Sequence, residues 1–153
     1  MKQPLIAVTD LDEPIEQLAI MTDKKILATW AADCAKRALP YFEQQYTEDP
    51  RPRDAIATLQ EWIRTGVFRM AVIRKASLDA HAAAREIPEY DPARSAARSA
   101  GQAVATAHVA THSIAAARYA ATAVRDAATT QDATIKEREW QYQHLIRLRE
   151  KDP

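Results

Sequence analysis

Glycine is nearly absent from this chain: of 153 residues only Gly66 and Gly101 are glycine. Phosphate-cradling loops of the GxxxxGKS or GxGxxG kind need several glycines in close succession, so these are excluded. Hairpin-rich folds are disfavoured too, because their tight turns draw on Asn-Gly and Asp-Gly pairs. Cysteine is limited to Cys34, which excludes an intramolecular disulfide and suits a reducing compartment. Charge of one sign is not in excess, with 21 basic and 21 acidic residues, and this argues against a general nucleic-acid binder. No apolar run reaches the length of a membrane span or a signal peptide. The expectation is a cytoplasmic protein.

What is abundant is alanine, roughly a fifth of the residues and the strongest helix former. β-branched residues never alternate as in a strand. The chain is therefore read as all-α: one domain over residues 1–153, a bundle of about five to six helices. Breakers and caps divide it. Glu13-Pro14 opens a short helix that ends near Met21. A second helix follows Thr22 and runs to about Tyr46, with a kink or break expected at Pro40. Pro52 lies in the first turn of a third, which Gly66 closes. A fourth spans about Val67 to Ile87. Asp91-Pro92 opens a fifth that the pattern carries to about Ala128, a central alanine-rich helix roughly 50 Å long. The last runs from Thr129-Thr130 to about Arg149.

The long fifth helix carries Thr106-Ala107-His108-Val109-Ala110-Thr111-His112, two histidines one turn apart. With helical spacing, Ala97, Gly101, Val104, His108, Ala115 and Tyr119 share a stripe of mostly small residues. Ser95, Ser99, Thr106 and Ser113 fall on the other side. On this phase His108 points inward with His112 beside it, and an interior imidazole needs partners. Two other helices offer pairs at i, i+4: Asp33 with Arg37, beside Trp30, and His81 with Arg85. The six are read together as one interior cluster of an acid, two arginines and three imidazoles. Three roles fit it. A satisfied structural network is favoured over a pocket for a small anion or substrate, and that over a metal site. HxxxH here lacks the glutamate of the zincin pattern, having Val109 after the first histidine, so no metal ligand is assigned. Cys34 lies with Ala31 and Ala38 on an apolar face, where a thiol is inert filling. No catalytic residue and no cofactor are assigned.

Partner-binding candidates lie elsewhere. In Asp49-Pro50-Arg51-Pro52-Arg53-Asp54 the prolines stiffen a loop that presents Arg51 and Arg53. Two readings are open: a surface for an acidic partner, or a helix start whose arginines pair with carboxylates such as Asp33 or Glu43. Trp62 and Trp140 are the aromatic anchors an interface would use. The mixed-sign runs Lys136–Glu139 and Arg147–Lys151 read as solvated faces. Two apolar rows on the last helix, Trp140/His144/Leu148 and Ile135/Tyr142/Ile146, suit a sandwiched helix or a contact between subunits.

Several pieces in order, TWAADCAKRALPYFEQ, EDPRPRDAIATLQEW, DAHAAARE, AGQAVATAHVATHSIAAARYA and EREWQYQHL, resemble the bacterial immunity-protein-like, or Imm-five-like, helical domain. The resemblance covers about residues 28 to 146. The positions matching its pattern are Trp30, Asp33, Cys34, Arg37, Arg51, Pro52, Arg53, His81, Arg85, Gly101, His108 and His112. It implies a small non-catalytic protein that binds and neutralises a toxin made by the same or a neighbouring cell. It supplies no catalytic residues. On this resemblance residues 22–149 are expected to form the family-like core, and the lead-in through Met21 has no counterpart in the pattern, so an interface located there would be particular to this chain. The other open class is an enzyme or small-ligand binder using the cluster. A binder presents its notable residues outside, whereas an enzyme converges them on a concave pocket.

Overall fold

A computed structural model of the protein describes residues 3–151. The described residues form seven helices and no strand: α1 (Asp12–Ile20), α2 (Lys24–Glu43), α3 (Arg51–Thr65), α4 (Met70–Arg85), α5 (Pro92–Ala105), α6 (His112–Ala127) and α7 (Asp132–Lys151). The starts and stops follow local chemistry. Asp23 and Asp91 cap α2 and α5, their carboxylates accepting from the amides of Lys25 (3.1 Å) and Ala93 (2.9 Å). Gly66 ends α3 in the left-handed conformation, φ 73°, where a side chain would be strained. Pro40 neither breaks nor ends α2. It lies on the exposed side, three residues before the C-terminal end of the helix.

The single long helix expected from Asp91 to Ala128 is two. Residues 106–111 form turns, closed by the amides of His108 and Val109 on the carbonyl of Ala105 and of His112 on Val109. Neither proline nor glycine marks this break. Its cause is packing: α6 folds back along α5, so that Ala100, Ala103, Ala116, Ala117 and Ala120 are all sealed from water. A continuous helix roughly 50 Å long would overrun a domain of this size and leave those faces wet. The seam is also bonded. Ser99 Oγ donates to the carbonyl of Ala116 (2.8 Å). Thus Ser95, Ser99, Thr106 and Ser113, expected opposite the packed stripe, are themselves buried.

Helix α5 is the centre of the bundle, touching α2, α3, α4 and α6, with α7 laid across α2 and α6. Trp30, Phe42, Leu59, Val104 and Leu145 fill the space between alanine-lined helices. Burying a side chain of that size contributes about 1.5–3 kcal/mol each. The lead-in docks by its backbone. Arg125 donates to the carbonyls of Pro4 (2.6 Å) and Leu5 (3.0 Å), Arg118 to that of Ala7 (3.0 Å) and Tyr90 to that of Gln3 (2.8 Å). The Ala7 amide donates to Thr122 Oγ1 at 2.9 Å. Asp12 anchors the far end by accepting from the fully buried Arg138 (2.9 Å).

Candidate functional site

The six polar residues expected to share one interior cluster are divided between two places. Asp33 and Arg37 project from α2 toward α7. Asp33 Oδ2 lies 2.7 Å from His144 Nε2. The guanidinium of Arg37 donates twice to Glu137, at 2.8 Å each, and its carbon sits 3.9 Å from the centre of the Trp140 ring. Trp140 in turn stacks on His144, with ring centres 4.7 Å apart. The layered order Arg37, Trp140, His144, Asp33 ties α7 to α2. Glu137 and Arg138, expected on a solvated face, are buried. Trp30 completes the seam by donating from Nε1 to the carbonyl of Gln141 (2.8 Å). Cys34 lies fully buried beneath it. Burial first, and then the charge of Glu137, push its thiol well above the ordinary range, so the sulfur stays protonated and unreactive.

The second place is the outer face formed by α4, α5 and α6. Gly101 explains how His81 reaches it. A β-carbon at Gly101 would stand 2.7 Å from His81 Nε2 and 2.8 Å from its Cδ2, so only glycine leaves room for the imidazole. The close neighbour is therefore a side chain and not the backbone of another helix. Arg98 Nη1 lies 2.8 Å from His81 Nδ1. A guanidinium only donates, so Nδ1 is the acceptor and the ring's proton is on Nε2. One turn further along α5, Gln102 Oε1 meets His112 Nδ1 at 2.7 Å. There the imidazole donates, which leaves its Nε2 as an acceptor. The two rings are opposite tautomers.

Electrostatics keep both rings neutral. Burial, then the charges of Arg98 and Arg85, push His81 down to about 4. Burial and His108 lower His112. Arg98 is itself lowered, by burial first and then by the neighbouring charge of Arg94. Arg94 spends its donors on the end of α4, at the carbonyls of Ile87 (2.8 Å) and Ala84 (3.3 Å). His108 does not point inward. It stands exposed in the α5–α6 turn, its ring 6.0 Å from that of the exposed Phe68. Sequence reasoning missed Arg98 and Gln102. Their signal is the i, i+4, i+8 row Arg94, Arg98, Gln102, opposite the alanines that fill the core.

Of the partner-binding candidates, Arg51 is held by Asp49 (2.7 Å) and Glu86 (2.8 Å), and Arg53 by Glu43 (2.7 Å from Nε). The carboxylate-paired reading of that loop fits these contacts. Trp62 is half-buried along an open groove of about 710 Å³ between α3 and α4, with Lys24 Nζ 5.6 Å from its ring centre. A groove of about 830 Å³ runs between the lead-in and the start of α7. Neither is lined by His81, Arg85, Arg98 or His112. Among the described residues no three of His, Cys, Asp and Glu stand together as metal ligands. No described helix is long and apolar enough to cross a membrane.

The polar residues singled out by the sequence thus stand partly in the α2–α7 seam and partly on the outer face of α4, α5 and α6. The chain belongs to the family described as "Imm-5 like putative immunity protein", which matches residues 17–148. No curated protein and no solved structure matches it. The family match begins within α1, so the docked segment before it lies outside the matched region.

Proposed function

We propose that the protein binds and neutralises a cognate protein toxin in the bacterial cytoplasm, by covering the toxin and without chemistry of its own. The observation that carries this reading is where the family-pattern residues stand. Arg85 and His108 are exposed and His81 and His112 partly buried, on a face outside both grooves. An enzyme needs such residues converging on a concave, water-excluding site, whereas an inhibitor needs them outward. The same face carries exposed apolar side chains, Phe68, Leu78 and Val109, beside its arginines and imidazoles. That mixture of arginine, aromatic and aliphatic groups is typical of protein interfaces. Trp62 and Lys24 at the neighbouring groove would extend the contact, and Arg51 and Arg53 would lie on its rim.

Stoichiometry tests the proposal. Co-expression with the toxic product of a neighbouring gene should restore growth, and purified protein should inhibit that toxin up to a fixed molar ratio. Protection at amounts far below the toxin would indicate turnover and overturn the binding reading. Combined substitution of Phe68 and Val109 by Ser should raise the concentration needed for neutralisation at least tenfold with little loss of stability.

A further inference from the structure

Half of the fourteen arginines of this protein are matched to acids. Arg37, Arg51, Arg53 and Arg138 each meet a carboxylate within 2.9 Å. On the α4–α5–α6 face the arginines around His81 belong to the other half. Among the described residues neither Arg85 nor Arg98 forms an ion pair with a carboxylate. Arg98 makes one described hydrogen bond, to His81, out of the five donors a guanidinium has. Arg94, close enough to Arg98 to disfavour its charge, is directed to helix carbonyls and supplies no counter-charge.

We infer that Arg85 and Arg98 form a seat for a carboxylate on the partner protein, so that the partner's contacting surface is a cluster of Asp and Glu. This rests on the reading of the protein as a binder of another protein. Three features favour that occupant. Like charges gathered on one face repel until an anion arrives, and a carboxylate matches the fork of a guanidinium with two parallel hydrogen bonds. The seat lies outside both grooves, which suits a group projecting from a large surface more than an enclosed small molecule. Its border is apolar, with Leu78 one turn from His81 and Val109 in the adjoining turn, which suits a protein more than a phosphate backbone. His81 is a positioning residue here. Resting on Gly101, it accepts from one edge of Arg98 and turns the remaining donors outward to the partner.

The experiment is a titration of the ¹⁵N-labelled full chain with a capped peptide of eight glutamates, beside its all-glutamine counterpart, inorganic phosphate and a short DNA duplex. The glutamate peptide should shift the Gly101 amide and Arg98 Nε resonances saturably, with affinity falling severalfold between low and physiological salt. Arg85→Ala and Arg98→Ala should each weaken it at least fivefold while thermal unfolding stays cooperative. His81→Ala should weaken it too, and His81→Asn, which restores an acceptor near the position of Nδ1, should recover most of the affinity. Four results would each overturn the seat: no saturable shift at these residues, equal response to the glutamine peptide, unchanged affinity in both arginine variants, or phosphate or DNA binding the same residues more tightly than the peptide. Neutralisation of a toxin by wild-type protein is scored separately. A failed titration with intact neutralisation removes the seat and leaves the immunity reading standing.

Discussion

The contact between Gly101 and His81 predicts a sign reversal that a double-mutant cycle can detect. Alanine in place of a mid-helix glycine ordinarily stabilises by about 0.5–1 kcal/mol. Here the new β-carbon would lie 2.7 Å from His81 Nε2, closer than real β-carbons approach anything, so the imidazole must swing away. Swinging it strains its rotamer by about 0.5–1.5 kcal/mol. It also breaks the 2.8 Å hydrogen bond from Arg98, worth about 1 kcal/mol at a half-exposed site. In the wild-type background, then, Gly101→Ala should destabilise by about 0.5–2 kcal/mol once the helical gain is set against the strain and the lost hydrogen bond. In a His81→Ala background the obstacle is gone, and the same substitution should stabilise by about 0.5–1 kcal/mol. Urea unfolding of the four proteins gives the coupling directly, and about 1.5–2.5 kcal/mol is expected. The same Gly101→Ala effect in both backgrounds would show that something other than the imidazole requires the glycine.

Acid should destabilise the fold through His81. Its folded value is pushed down to about 4, below the 6.5 of a free imidazole. Between those values the unfolded chain takes up a proton that the folded one refuses, so stability falls as pH drops through that window. His81→Asn should flatten this fall by about 2 kcal/mol in urea unfolding series, after allowing for water at the ring's exposed edge. An unchanged slope would refute the buried neutral ring. Arg138→Ala leaves Asp12 and Gln141 without their guanidinium and should cost about 3–5 kcal/mol, whereas Arg53→Ala, at the exposed pair with Glu43, should leave the melting temperature almost unmoved. Equal losses would contradict the assigned burial. Finally, His144→Ala removes a stack and a partner of Asp33 and should cost about 1–2 kcal/mol, against less than about 0.5 for His108→Ala. The inward His108 expected from its spacing would reverse this order, and thermal melts of the two variants decide it.

That reversal shows what local pattern conveys and where it ends. Alanine content, Gly66 after a helix, Asp91 before one and prolines in first turns act within a few residues, and these features are legible. The break at residues 106–111 carries no local signal, because it is set by α6 folding onto α5. A single helical period does not carry through the break, so His108, inward by spacing, is exposed in the fold. The pairs Asp33–Arg37 and His81–Arg85 do stand beside the packed faces of their helices, but adjacency in a stripe cannot say which neighbour each stripe meets. Asp33 and Arg37 meet α7, and His81 meets α5. The burial of Glu137 and Arg138 is illegible in their mixed-sign run because their partners are 100 and 126 residues away in the chain.

The docking of the lead-in has a bearing on how this protein can change over time. Arg125, Arg118 and Tyr90 hold the segment by the carbonyls of Gln3, Pro4, Leu5 and Ala7, and every amino acid possesses a carbonyl. Of the contacts described there, the one that needs an amide hydrogen is at Ala7, so proline is the substitution it forbids at that position. The exposed side chains of Leu5 and Val8 take no part in the grip. Such a clamp reads the chain's direction and spacing and, apart from the buried methyl group of Ala7, is indifferent to its spelling. A surface mounted on it can be rewritten residue by residue, presenting new side chains beside the α6–α7 turn, while the arginines beneath continue to hold the same backbone.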